Sequence, residues 1–325
     1  MDYVSLGTTP LQISRLGLGA MGFGDTAWRS WVLDIDQARP VFERAVHRGI
    51  NFFDTCNFYS GGESERILGQ LLRETGQPRE EVVIATKFGM PMPNAPETKG
   101  YSRSAAVAAI AGSLERLELD YVDLYQTHIW DPDTDLEELM AVLAELIDQG
   151  KVRYAGATDM PNWQFVKANG IAQSHGRPSF SSMQNHYNLV WREDEAEMIP
   201  YCRAEGIGWI PYSPLARGLL CGASRLAAGQ RTERLKTDEY IDIWYGREAD
   251  RALISRVDEV ARKHGAKPAQ VALAWVLSRE PSVAPIFGAR TPAQVDEAVE
   301  ALDLKLDEND EEQLTAAYVP RLRGS

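Results

Sequence analysis

The chain has 325 residues, of which 44% are hydrophobic and 25% charged, an ordinary composition for a folded protein with a large core. A net charge of −13 and a pI near 5.0 exclude the basic stripe that a nucleic-acid backbone requires and give no attraction to an anionic membrane surface. The opening Met1-Asp-Tyr-Val-Ser has neither a basic nor an apolar leader region, and no apolar run of membrane-spanning length follows, so a cytoplasmic protein is expected.

In chain order, residues 3–6 and 11–14 flank Gly7-Thr-Thr-Pro and read as a β-hairpin. Apolar runs of strand length then alternate with amphipathic helical stretches. The strands are expected at 16–20, 51–55, 82–87, 121–128, 154–158, 182–185, 209–213 and 284–288. Helices are expected at 36–48, 63–74, 104–117 (with Ser102 or Ser104 as cap) and 135–149, the last with acids in its first turn and Gly150 at its end. Eight strand-helix units without a linker predict an α/β protein, a (β/α)8 TIM barrel over residues 1–325 as a single domain, with a doubly wound sheet as the alternative. A long polar stretch at 217–246 follows the seventh strand and reads as a loop over the active face. A terminal helix is expected at 307–317.

Gly17-Leu-Gly19-Ala-Met-Gly22 matches the dinucleotide fingerprint G-x-G-x-x-G after a strand. That fingerprint works only when its last glycine opens a helix whose amino end holds pyrophosphate. The following Phe-Gly-Asp-Thr-Ala-Trp-Arg-Ser-Trp has no helical period and carries another glycine. These glycines therefore read as a strand-end loop that lets backbone approach a ligand.

In barrels, chemistry collects at the carboxyl ends of strands. The second strand closes on Asp54, with Tyr59 five residues further on; the third closes on Lys87 and the fourth on His128. Neighbouring strands would bring these side chains together as a proton-transfer unit. A Lys87 ammonium favours the phenolate of Tyr59 and lowers its pKa, Asp54 holds the ammonium charged and oriented, and His128 polarises a carbonyl oxygen or shares the proton. Taken singly, each of these residues is equally at home in an ion pair or a rim contact. Cys56, Cys202 and Cys221 form no CxxC, so no zinc knuckle or disulfide framework is indicated. His47, His175, His186 and His264 read as capping or packing groups, and no HxH or HxxxH pair suggests a metal.

The motif Gly49-Ile-Asn-Phe-Phe-Asp-Thr-Cys-Asn-Phe-Tyr59, the Thr86-Lys-Phe strand end and Asp120-Tyr-Val-Asp-Leu-Tyr-Gln-Thr-His128 resemble the aldo-keto reductase superfamily in order and spacing. Ser5-Leu-Gly, Ile13-Ser-Arg-Leu-Gly-Leu-Gly and Tyr212-Ser-Pro-Leu-Ala-Arg-Gly218 are more narrowly similar to the aryl-alcohol-dehydrogenase-like reductases of bacteria and fungi. The resemblance covers nearly the whole chain. It implies NAD(P)H-dependent reduction of an aldehyde or ketone on a (β/α)8 barrel, with Tyr59 as general acid, Lys87 and Asp54 as its tuning pair and His128 as the carbonyl-orienting partner.

The same matching implies cofactor contacts. Gln184, Thr158 and Asp159 would meet the nicotinamide carboxamide, and Tyr212 would stack beneath the ring. Ser213, Pro214, Leu215, Arg217 and Gly218 would follow the pyrophosphate. Gly288, Arg290, Gln294 and Glu297 would hold the adenosine end, where Arg290 could pair with a 2′-phosphate and so favour NADPH. Two departures stand out. Thr158-Asp159 replaces the common Ser-Asn, giving a carboxylate without an NH2 donor, and Ala298 replaces an asparagine on the adenine side.

Phe23, Trp28, Trp31, Phe58, Phe88, Trp130, Trp244 and Tyr245 cluster near expected loops. Phe23, Phe88 and Trp130 lie shortly beyond strand ends and are expected to line a mouth for aromatic or apolar carbonyl substrates. The partner implied is a small-molecule carbonyl compound. A cofactor-bound redox-sensing or regulatory subunit is the alternative function, and a metal-dependent barrel isomerase or lyase is disfavoured by the scattered His, Asp and Glu.

Overall fold

The structure is a computed structural model that describes residues 1–222, 232–245, 247–280 and 283–321. Strand β1 (Tyr3–Ser5) pairs antiparallel with β2 (Gln12–Ser14), which is the expected hairpin. Its turn needs glycine at Gly7, where φ is +58° and a Cβ would come within 2.4 Å of the Gly206 carbonyl oxygen.

Eight parallel strands follow: β3 (Gly17–Gly19), β4 (Phe52–Asp54), β5 (Val83–Phe88), β6 (Val122–Thr127), β7 (Val152–Thr158), β8 (Ser182–Gln184), β9 (Gly208–Trp209) and β10 (Ile286–Phe287). They form one sheet in the order β10-β3-β4-β5-β6-β7-β8-β9. A bridge between Tyr212 and Ile286 and a bond from Ile286 N–H to the Pro211 carbonyl (2.8 Å) link its two ends. The curled sheet is consistent with a (β/α)8 barrel, and its sequential order has no switch point of the doubly wound kind. The last two strands are shorter than the sequence suggests because Pro211 and Pro285 carry no N–H for the ladder.

Helices separate the strands on the outside. Ile35–His47 begins with a capping box between Asp34 and Gln37, Arg103–Leu117 is capped by Ser102, and Leu136–Asp148 is capped by Asp135. Glu63–Thr75, Asn162–Ser174 and Met198–Glu205 follow β4, β7 and β8. Glu248–His264 and Pro268–Ser278 precede β10, and Pro292–Glu300 follows it. The expected terminal helix is Glu308–Thr315. After Gly17–Gly19 the chain makes only a single-turn 3₁₀ helix, Ala20–Gly22, and the next helix starts at Ile35, so the glycine motif has the loop form and lacks the dinucleotide helix. Of the long stretch at 217–246, residues 223–231 and 246 lie outside the described residues; the rest holds the short helices Glu233–Thr237 and Tyr240–Tyr245.

Alternation along the strands decides which side chains reach the interior. Phe52, Val83, Ala85 and Leu124 point inward and pack with Leu6 and Ile13 of the hairpin, which plugs the amino-terminal ends of the strands. Their neighbours Phe53, Ile84, Phe88 and Tyr125 point outward into the layer beneath the helices. The same parity carries Asp54, Lys87, Gln126 and Gln184 inward at the carboxyl ends.

Candidate functional site

A cavity of about 710 Å3 opens at those carboxyl ends, a volume suited to a small-molecule site. At its floor Lys87, fully buried on β5, is held three ways. Its Nζ donates to Asp54 Oδ1 (2.5 Å), to the Thr55 carbonyl (2.9 Å) and to Tyr59 Oη (3.5 Å). Asp54 Oδ2 accepts from Gln126 (3.2 Å) and Gln184 (3.0 Å), so both carboxylate oxygens are satisfied away from water. The His128 ring stands edge-on to Tyr59 at 5.6 Å. All four expected titratable residues therefore meet in one corner.

Their electrostatics differ in one respect from the sequence expectation. Loss of water pushes the Tyr59 phenol up to about 12, although the Lys87 ammonium pulls it down. The pull has the expected sign, but desolvation outweighs it, and the phenol stays protonated at neutral pH. Burial works against the Lys87 charge, yet Asp54 foremost and the neighbouring groups hold its pKa above the ordinary lysine value. Burial, with Lys87 nearby, brings His128 down to about 3, so its imidazole is neutral. The corner presents a protonated phenol and a neutral imidazole to the cavity, with the buried Lys87 ammonium against the phenol.

Along the next wall, Thr158, Asp159, Gln184 and Tyr212 line the cavity together. Asp159 accepts from the Tyr212 hydroxyl (2.7 Å) and from the His186 backbone N–H (3.1 Å). Tyr212 is backed by the His186 ring, stacked at 5.2 Å, and His186 in turn stacks on Trp191 and contacts the Tyr245 hydroxyl at 2.5 Å. His186 is thus a packing group behind the wall. Ser213, Pro214, Leu215, Arg217 and Gly218 continue the lining. Ser213, Ala216 and Arg217 all have positive φ, a strain of about 1 kcal/mol or more each that tends to persist where backbone serves a ligand.

The residues present fit a dinucleotide. Thr158 Oγ1 and Arg217 Nε are buried, have no hydrogen-bond partner among the described residues and belong to cavity-lining residues. Arg217 also donates to Asp238 (2.5 Å), which Arg234 (3.0 Å) and Arg29 (3.8 Å) share. Three guanidiniums on one carboxylate leave positive charge for an anion such as pyrophosphate. At the far end Gly288, Arg290, Gln294 and Glu297 line the same cavity. Gln294 accepts from the Arg290 backbone N–H (2.7 Å), and the Arg290 guanidinium is exposed with no ion pair among the described residues. Ala298 is buried at this end of the cavity wall, so it offers packing and no hydrogen bond.

Two expected substrate contacts are corrected. Phe88 follows Lys87 on its strand and therefore points the other way, stacking on Tyr125 at 4.4 Å in the outer core. Phe23 bridges Leu33 and is buried with it. Only Trp130 of the three lines the cavity, joined there by Trp28, Trp31, Phe58 and Trp244. Sequence reasoning also missed Gln126, which strand parity with His128 would have found, and Lys267, which no local signal marks. Lys267 reaches the Arg290 end of the cavity from the start of Pro268–Ser278 and pairs there with Glu297.

Residues 15–319 match the aldo/keto reductase family, and the chain belongs to it. Its members are oxidoreductases that act on small-molecule carbonyl compounds and generally use NAD(P)H. Among similar proteins, a versiconal hemiacetal acetate reductase of Aspergillus parasiticus is 40% identical over 99% of this chain and 98% of its own. An aryl-alcohol dehydrogenase-like protein of Schizosaccharomyces pombe is 37% identical, covering 98% of this chain and 96% of its own. An aldo-keto reductase of Metarhizium robertsii is 37% identical over 100% of this chain and 93% of its own. No helix among the described residues is long and apolar enough to cross a membrane.

Proposed function

We propose that this chain is an NADPH-dependent reductase of aldehydes or ketones, acting in the cytoplasm as one barrel domain over residues 1–325. The observation that carries the reading is the Lys87 ammonium seated between Asp54 and Tyr59 beside a neutral His128. A reduced nicotinamide, when bound, would supply the hydride that the carbonyl carbon takes. Tyr59 gives its phenolic proton to the carbonyl oxygen. Lys87, 3.5 Å from that hydroxyl, stabilises the phenolate left behind, and Asp54 keeps the ammonium charged and aimed. His128 donates a hydrogen bond to the same carbonyl oxygen and orients it.

Thr158, Asp159 and Gln184 would hold the carboxamide, and Tyr212, braced by His186, would support the ring. Ser213, Pro214, Leu215, Arg217 and Gly218 would bind the pyrophosphate. Gly288, Arg290, Gln294 and Glu297 would take the adenosine end, with Arg290 on the 2′-phosphate. Trp28, Trp31, Phe58, Trp130 and Trp244 favour an aromatic or apolar carbonyl substrate.

The test is loss of nicotinamide absorbance with a panel of aldehydes, ketones and sugars, run with NADPH and NADH in parallel. Turnover that prefers NADPH is expected. Tight nucleotide binding with oxidation too slow to count as turnover would instead identify a redox-sensing subunit.

A further inference from the structure

Cys56 is buried in the proton-transfer corner and takes no part in the mechanism so far. Its Sγ lies 3.1 Å from His128 Nδ1. The sulfur accepts the Phe58 backbone N–H (3.4 Å), and its S–H is left to donate. Two carbonyl-type acceptors compete for that proton, Asn57 Oδ1 at 3.5 Å and the Lys87 backbone oxygen at 3.7 Å, and both are farther away than the imidazole nitrogen.

We propose that Cys56 is a positioning residue that donates its S–H to His128 Nδ1 and so fixes the imidazole as the Nε2–H tautomer, with its donor turned to the cavity. Sulfur is a weak acceptor and neutral imidazole nitrogen a good one, so S–H to nitrogen is the favoured direction of the bond. Burial raises the thiol to about 12 and, with Lys87, brings His128 down to about 3, so one group keeps a proton to give and the other keeps a lone pair to receive it. Among the described residues no other side chain is hydrogen-bonded to the His128 ring, and its backbone N–H is tied separately to the Phe88 carbonyl (2.9 Å) and the Tyr101 hydroxyl (3.1 Å). The backbone ties fix where the ring sits. The thiol fixes which nitrogen carries the proton, and only an Nε2–H can donate to a substrate oxygen on the cavity side. The catalytic consequence rests on the carbonyl-reductase reading; the tautomer does not.

The test is 15N NMR of the histidine-labelled full chain, with the His128 signals assigned by their loss in His128→Gln. Wild type should show Nδ1 unprotonated and Nε2 protonated. In Cys56→Ala the two nitrogens should move toward an averaged tautomer mixture, and Cys56→Ser, which keeps a short donor, should move back toward wild type. A protonated Nδ1 in wild type, or spectra unchanged in Cys56→Ala, overturns the proposal whether or not the protein reduces carbonyls. In the reductase assay Cys56→Ala should lower kcat by about three- to tenfold, the scale of one lost hydrogen bond, with NADPH affinity unchanged and Cys56→Ser partly restoring it. An equal kcat in wild type and Cys56→Ala would overturn the catalytic consequence while the NMR result stood alone.

Discussion

The two ends of the cavity use charge in opposite ways. At the proton-transfer corner Lys87 and Asp54 have side chains only 1% and 5% exposed, and the Lys87 ammonium and both Asp54 oxygens are each matched by a named partner. At the end proposed for adenosine Lys267 is 60% exposed, Glu297 is 26% exposed and Arg290 stands in solvent. Charges in the first setting act at full strength on their neighbours, whereas charges in the second are screened by water and salt. Chemistry belongs where the field is strong and unscreened; recognition of a doubly charged phosphate can tolerate the weaker setting. Substitutions at the two ends should therefore differ in size, in additivity and in their effect on stability.

The largest expected effect is Tyr59→Phe, which keeps the ring and removes the proton. Carbonyl reduction should fall by ~100- to 10,000-fold in kcat with nucleotide affinity nearly intact. A fall of less than tenfold with chemistry rate-limiting would remove Tyr59 from its role. Lys87→Met acts on the same step, and the Tyr59→Phe, Lys87→Met double variant should be no slower than the worse single one. Lys87→Met also leaves Asp54 charged and buried, facing Gln126 and Gln184 alone, which should cost ~3–5 kcal/mol of stability in a denaturant melt. Lys267→Ala, the matching deletion at the exposed end, should leave the melt unchanged. Equal melts for both variants would erase the contrast between the two ends.

At the adenosine end the expected effects are on binding. Arg290→Ala should weaken NADPH about tenfold and leave NADH unchanged, the lower side of what a charge-assisted bond supplies, because the guanidinium is exposed. Glu297→Gln should move the other way. It removes a negative charge from the end of the cavity proposed for the 2′-phosphate and releases Lys267, so NADPH should bind a few-fold tighter, and the gain should shrink as salt is raised. Equal weakening of both nucleotides by Arg290→Ala would leave that residue as a helix-entry decoration, with Arg217 or Arg234 reading the phosphate.

The same contrast explains what was legible in the sequence. Strands and helices announce themselves by period, so eight units and the hairpin could be read directly, with Ser102 as one of two caps offered for its helix, whereas Asp135, expected as the first helical residue, is the N-cap. Asp54, Lys87 and His128 could be found because strand ends concentrate chemistry in a barrel. Phe88 was misplaced because proximity to a strand end was allowed to override parity: it is one residue from Lys87 and so faces the other layer. Lys267 was invisible because it reaches the cavity from a helix start far from the Gly288 to Glu297 segment, a contact only packing creates. The sign of the Tyr59 shift was missed for a related reason. A sequence names the charged neighbour, but it does not show how much water the fold removes.

That loss of water sets the smallest expected effect, which is an absence of change. Tyr59 is pushed up to about 12 and stays protonated, and hence able to donate, at any pH below that value. His128 is brought down to about 3 and stays neutral at any pH above it. An ordinary tyrosine would begin to lose its proton near pH 10 and an ordinary histidine would gain one near pH 6.5. With both shifted outward, kcat for carbonyl reduction should vary by less than about twofold between roughly pH 5 and 9. A limb near pH 6.5 that vanishes in His128→Gln would mean that the imidazole titrates in the working range, so that its environment is wetter than the buried corner implies. A limb near pH 8 or 9 that vanishes in Tyr59→Phe, measured on its residual rate, would mean that Lys87 outweighs desolvation once the cavity is filled. Either limb would make the corner resemble the exposed end, where water rather than the fold decides which charges persist.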